Sequence, residues 1–392
     1  MTAGAAAPQR VLVVGGGLGG GRTCVALRSA GFTGEIVLVG EELLAPYDRP
    51  PLTKACLHQE VDTDLGLGLA ELGVDFAPGE RAETLDLARR RVWTDRSARD
   101  YDFLVVATGA RPVTLPGAGP QVTVRTATDA DRLRRSMVPG ARVVIIGAGW
   151  IGAEVATAAL SHGCQVTCVE LGSTPLEGPL GPTVGSRVLP WWADVDLRTS
   201  TAVREVTADG VLLADGELIG ADVVVTGVGV RAETGWLAEA GLVVESGAVS
   251  VDMDRRTSDP FVFAVGDVAA RWSDLLGQRV HAGHWDEAVN GAVAAASAIM
   301  GTPKAVDDVP YFWSDQFGRK LQYVGQHRPD DRVTLREHDD PARWGAAWTD
   351  AEGRLTAHLS VGFPRAMVQA RAAIAERRIV DPGRVGSLVE PF

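Results

Sequence analysis

VLVVGGGLGG, residues Val11–Gly20, returns in altered form as VVIIGAGWIG, residues Val143–Gly152. In each copy an apolar, strand-like run leads directly into G-x-G-x-x-G. The glycines are Gly15, Gly17 and Gly20 in the first copy, and Gly147, Gly149 and Gly152 in the second. In such a motif the first glycine permits a tight turn and the second lets backbone approach a pyrophosphate. The third brings the following helix close to the strand, and the anion then faces the helix N-terminus. The helices are expected to end at Gly31 and Gly163, residues suited to the left-handed position past a helix end, ahead of strands Glu35–Val39 and Gln165–Val169. An acid closes each unit. Glu170 follows its strand directly, where a carboxylate accepts hydrogen bonds from an adenosine ribose, whereas Gly40 separates Glu41 from its strand. One such motif can arise from packing alone. Two copies, each with strand, helix and acid, point to two dinucleotide sites in an α/β fold.

Outward from these repeats, the bulk properties narrow the class. A chain of 392 residues, 46% hydrophobic and 22% charged, exceeds one ordinary core and excludes a mostly disordered reading. A formal charge of -12 disfavours nonspecific attraction to nucleic acid or an anionic membrane. Met1–Arg10 lacks the apolar core of a signal peptide and no later run reaches membrane-span length, so a cytoplasmic protein is expected. Cys24, Cys56, Cys164 and Cys168 form no disulfide framework and have no second Cys or His pair at zinc spacing, so they read as buried small side chains. No P-loop or Ser-His-Asp arrangement stands out.

Five further segments carry a family resemblance: Pro46–Lys54 (PYDRPPLTK), Ala107–Arg111 (ATGAR), Phe263–Val268 (FAVGDV), the pair His284-Trp285, and Tyr311–Gln316 (YFWSDQ). Together they make nearly the whole chain resemble the FAD-dependent NADH:ferredoxin reductases that serve bacterial oxygenases. The resemblance implies two Rossmann-like domains of the glutathione reductase type plus a C-terminal α+β interface domain. On this division, residues 1–112 and 251–308 bind FAD, 113–250 bind NADH and 309–392 form the interface domain, with crossovers at Ala110–Pro116 and Val249–Asp254. The tail reads as antiparallel strands, including Arg343–Thr349 and Arg354–Val361, followed by a helix from about Pro364.

The same resemblance distributes roles. Besides the first-repeat glycines and Glu41, FAD would be held by Arg49, Lys54, Thr108, Gly109, Arg111, Gly266, Asp267, His284, Trp285 and Trp313. Asp267, after Gly266 and an apolar strand, suits ribityl hydroxyls, the alternative being a helix N-cap. The stretch His284–Met300 would aim a helix N-terminus at negative charge on the reduced flavin. Arg49 would meet FAD phosphate and Lys54 the flavin N5 region. Glu154, expected on the first turn of the second-repeat helix near the nicotinamide, would pair with Lys54. Lys54, Glu154 and Trp313 are thus the catalytic candidates, and no metal is implied.

Two departures stand out. The run Leu171–Glu177 lacks the arginine that relatives often place after the acid, and Gly283 stands where many relatives have Glu. The implied partner is a small, acidic iron-sulfur ferredoxin of the two-iron type, for which Arg319, Lys320, Arg371, Arg377 and Arg378 are docking candidates, Arg371 and Arg378 sharing a helix face. Competing readings are a disulfide or peroxide reductase using Cys56, and a redox-gated binding switch.

Overall fold

In the computed structural model, which describes residues 10–281, 283–304 and 306–392, both repeats form as strand, turn, helix and strand. The first runs Arg10–Val14, Leu18–Ser29 and Glu35–Gly40, and the second Arg142–Ile146, Trp150–Ser161 and Gln165–Val169. The chain divides into two units: Met1–Asp48, Thr63–Arg111 and Arg231–Pro310 in the first, and Arg49–Asp62, Pro112–Val230 and Tyr311–Phe392 in the second.

In the first unit, five parallel strands are ordered Val262–Ala264, Phe103–Val106, Arg10–Val14, Glu35–Gly40 and Val74–Pro78. Strand alternation sends Val11, Val13, Ile36, Leu38, Val105 and Phe263 to one face, where Cys24 and Leu27 of the first-repeat helix meet Ala295 and Ile299 of the helix Trp285–Ile299. Leu12, Val14, Val37, Leu104 and Val106 face the other way, toward Leu85 and Val92 of an antiparallel sheet. Both faces are covered, so these strands read as unbroken apolar runs. Leu237, Leu242, Val249 and Val251 enter this same core. The chain has therefore rejoined the first unit by Arg231, ahead of the expected crossover at Val249–Asp254.

In the second unit, four parallel strands are ordered Asp196–Arg198, Gln165–Val169, Arg142–Ile146 and Val223–Thr226. Its other large sheet is antiparallel, ordered Tyr311–Gln316, Arg319–Gly325, Leu355–Val361, Trp344–Thr349 and Arg332–Glu337. One face of that sheet, with Leu321, Trp344, Trp348 and Leu359, buries Leu176, Leu180 and Val184 of the segment following Glu170. The helix Pro364–Ala375 packs on the same sheet. It ends before Arg377, whose φ of 52° leaves the helical region, and Arg378 pairs with Glu376. Arg371 and Arg378 consequently do not share a helix face, because a left-handed residue breaks the periodicity between them.

Candidate active site

The two glycine turns meet the physical requirements of dinucleotide sites. Gly15 and Gly147 adopt φ of 119° and 99°. A Cβ on Gly20 would fall 1.9 Å from the Gly15 carbonyl oxygen, and one on Gly152 2.0 Å from that of Gly147, so only glycine lets each helix sit this close. The N-caps are Gly17 and Gly149, and neither helix has a side-chain cap, in contrast to the helix Ala127–Ser136 with its Thr126–Asp129 capping box. Their first amides are thus left for an anion. A Cβ on Gly149 would meet nothing within 4 Å. This open approach fits a pyrophosphate at the second turn.

Within the first unit, the Thr108 hydroxyl is buried without a hydrogen-bond partner, an orphan beside the first turn that suits a bound cofactor. Glu41 and Arg111 come together, at 2.8 Å, and Arg111 also reaches Glu233 at 2.9 Å. Asp267 lies inside the short helix Gly266–Val268, whose N-cap is Val265, so the capping alternative does not hold. His284 caps the helix Trp285–Ile299, and burial pushes its imidazole down to about 4, which keeps it neutral at physiological pH. Trp285 Nε1 donates to Asp48 at 2.8 Å. The first turn of that helix is anchored by a buried network not foreseen from sequence: Arg255 and Arg271 both donate to Glu287, and Arg271 also pairs with Asp307. These arginines are far apart in sequence from their acids, and no local pattern signals them.

Within the second unit, Lys54, Glu154 and Trp313 converge. Lys54 Nζ lies 3.0 Å from both Glu154 carboxylate oxygens and 6.0 Å from the Trp313 ring centroid. Glu154 sits one step past the first helical turn, because the helix starts at Trp150 rather than at the last glycine. Its carboxylate also accepts from Thr53 Oγ1 at 2.5 Å, Ser314 Oγ at 2.5 Å and the Asp315 amide at 3.2 Å. One side chain therefore joins the proline-rich loop, the second-repeat helix and the first strand of the antiparallel sheet. Ser314 and Gln316 lie in the quoted YFWSDQ segment, but that segment drew attention to its tryptophan alone. A groove of about 350 Å³ opens beside this junction, lined by Thr53, Lys54, His58, Thr157, Arg319 and Lys320 among others. Arg49 donates to the Arg125 carbonyl.

Glu170 accepts from the amides of Ala148, at 2.6 Å, and Gly172, at 2.7 Å. The run after it closes on Glu177, which accepts from Ser173 and Thr174. In place of an arginine, a second carboxylate stands beside Gly172. All four cysteines are free of disulfides and buried, and burial pushes the Cys56 thiol up despite the charge of Arg134. Among the described residues there is no acidic, Cys and His cluster able to hold a metal, and no helix long and apolar enough to cross a membrane.

The pyridine nucleotide-disulphide oxidoreductase family matches residues 9–295, and the reductase C-terminal family matches residues 311–388. The probable ferredoxin reductase CtmF of Castellaniella defragrans is 35% identical over 401 residues, covering 96% of this chain and 97% of that protein. Among solved structures, that of Fdr9 matches with a TM-score of 0.95 at 49% identity, covering 97% of this chain and 98% of that one. The covalent putidaredoxin reductase-putidaredoxin complex matches with a TM-score of 0.91 at 30% identity, covering 97% and 96% of the two chains.

Proposed function

Because the chain belongs to the ferredoxin reductases of the pyridine nucleotide-disulphide oxidoreductase family, we propose that it is an NADH:ferredoxin oxidoreductase supplying a monooxygenase or dioxygenase. The observation that carries this reading is the pair of uncapped helices behind glycine turns, each ready for one pyrophosphate. When bound, FAD would supply the redox chemistry, two-electron exchange with NADH and one-electron exchange with the iron-sulfur partner. Residues 1–112 and 251–308 hold FAD, through the first-repeat glycines, Thr108, Gly109, Gly266 and Asp267. The intervening stretch, up to Val230, holds NADH through the second-repeat glycines and Glu170.

The chain's own contribution is orientation and electrostatics. His284, at the N-cap of Trp285–Ile299, would leave that helix's first amides to stabilise negative charge on the reduced flavin, and Lys54, Glu154 and Trp313 would be the residues that serve hydride transfer. Glu170 receives ribose hydroxyls and repels a 2'-phosphate, which selects NADH. The partner is a two-iron ferredoxin, and a chain with few cysteines and no disulfide framework suits a cytoplasmic setting. Arg319, stacked over Trp191 at 5.0 Å, and Lys320 offer it positive charge on an otherwise acidic protein.

Anaerobic NADH titration of the purified flavoprotein, followed by challenge with a two-iron ferredoxin plus cytochrome c or with coenzyme A disulfide, tests the assignment. Rapid reoxidation by ferredoxin alone is expected. Reoxidation by the disulfide alone would transfer the assignment to a disulfide reductase.

A further inference from the structure

The strand Tyr311–Gln316 carries more than its tryptophan. Alternation places Ser314 and Gln316 on one face, and both are fully buried, at 0% and 1% exposure. Gln316 Nε2 donates to Ser314 Oγ at 2.9 Å. That bond occupies the hydroxyl as an acceptor, so its own hydrogen is aimed at the oxygen 2.5 Å away, Oε1 of Glu154. The carboxylate is gripped on its other side by Thr53 and straddled by Lys54 Nζ. One turn further along the same helix, Thr157 Oγ1 accepts from the Phe317 amide, so helix and strand are locked at two points.

A lysine ammonium is a point charge on a flexible stem and does not fix its own position. Here its place is set by a carboxylate whose rotamer is itself set by Ser314 and Thr53. We propose that Ser314 and Gln316 are positioning residues for hydride transfer, acting through Glu154 to hold the Lys54 ammonium. The proposal rests on the reading that Lys54 serves the flavin reaction. Neither residue touches a cofactor in this role. Their effect is felt in the rate of the chemical step rather than in nucleotide affinity, and a cooperative chain of this kind responds to the loss of any one link.

The test is anaerobic stopped-flow reduction of the FAD-loaded protein by NADH. Ser314→Ala and Gln316→Met should each slow flavin reduction about tenfold, since small misplacements of a catalytic group carry costs of that order. The NADH concentration at half-maximal rate should be nearly unchanged, and Ser314→Thr should recover most of the rate. In a Glu154→Gln background the Ser314→Ala change should add little further loss. The thermal midpoints of the same four proteins should show the same non-additivity, a readout independent of turnover. If Ser314→Ala does not retain FAD, Gln316→Met and Gln316→Glu decide the matter, the latter drawing the Ser314 hydrogen away from Glu154. Wild-type reduction rates in the Ser314 and Gln316 variants, with slow reduction in Lys54→Met, would overturn the positioning role and leave the Lys54 reading intact. Unchanged reduction in Lys54→Met would remove that reading and this inference with it.

Discussion

The helix of the first repeat and that of the second leave the same kind of turn and then present opposite surfaces to their neighbours. Leu18–Ser29 is smooth: a Cβ on Gly19 would lie 3.3 Å from Val265, and one on Gly21 2.5 Å from Leu67 and 2.9 Å from Pro46. Glycine there also brings it against the alanine-rich Trp285–Ile299, where a Cβ on Gly19 would lie 3.8 Å from Ala288. Trp150–Ser161 instead projects Glu154 and Thr157, spaced to share a face, and both bond to residues 314–317, the end of the strand Tyr311–Gln316 and the turn that follows it. The shared features of the repeats specify a nucleotide-binding backbone. Their differences lie in the side chains that follow, Glu154 standing at the place of Arg22 and Thr157 at that of Val25.

The strongest way to break this comparison is to fill the shared turn in one copy at a time. In Gly20→Ala and Gly152→Ala the new methyl meets a backbone carbonyl that cannot yield, as the 1.9 Å and 2.0 Å approaches show. Each change should cost about 3 kcal/mol or more, the range of severe overpacking. Gly20→Ala should be recovered without FAD, read from the visible absorbance after gel filtration, whereas Gly152→Ala should keep FAD but lose its bleaching by NADH. Loss of FAD from both would show that the copies are not separable in function.

How much of this was legible in the sequence follows from what is local. The turns, the helix ends near Gly31 and Gly163 and the hairpin around Asp350–Gly353 depend on near neighbours, and the chain spells them out. The Lys54–Glu154 pair was reached only through family resemblance, because nothing local links residues a hundred positions apart. Ser314, Gln316 and Thr53 were missed for a related reason. Small polar residues acquire meaning only when a strand and a helix bury them against one carboxylate. The return of the chain to the first unit at Arg231 was equally hidden, since Leu237 and Leu242 look like any short amphipathic segment until the core they complete is known.

A second difference between the repeats lies in their closing acids. Glu41 is paired with a half-exposed Arg111, while Glu170 is held by amides of its own turn and loop. Removing a carboxylate that bonds a ribose should cost about 1.5–3 kcal/mol of binding, so Glu170→Ala should lower kcat/KM for NADH by about tenfold or more. It should also narrow the preference over NADPH. Glu41→Ala, losing a screened surface pair, should change FAD affinity less. Comparable kcat/KM for NADH and NADPH in the unaltered protein would refute the assignment of Glu170.

Acid should sharpen the contrast between the units at a smaller scale. Burial holds His284 in the first unit, and His327 and His358 in the second, below the usual imidazole range, with Arg336 adding to the effect on His358. The unfolded chain therefore binds these protons first. The stability they contribute is present above about pH 6.5 and is lost as pH falls, toward about 4 for His284. Thermal midpoints should drop between pH 7.5 and 5. His358→Leu should flatten that slope, since neither ring nitrogen has a hydrogen-bond partner to lose. An unchanged slope would assign the acid sensitivity to other groups.

The smallest expected effect concerns the thiol outside both repeats. Cys24 belongs to the first copy and Cys168 to the second, and burial raises both thiols, that of Cys24 to about 12. Cys56 sits beside Lys54 on the short helix Ala55–Leu57, where a redox thiol of a disulfide reductase could act. A reactive cysteine needs exposure and a depressed pKa. Cys56 has neither, being 9% exposed with its thiol pushed up by burial. Cys56→Ser should therefore keep ferredoxin-linked cytochrome c reduction within about twofold, the margin of a small polar change near a packed loop. FAD content should be unaltered. Were flavin reoxidation to fail in that variant with FAD still bound, electrons would be leaving through sulfur, and the division of labour between two nucleotide-holding repeats would no longer account for the chemistry.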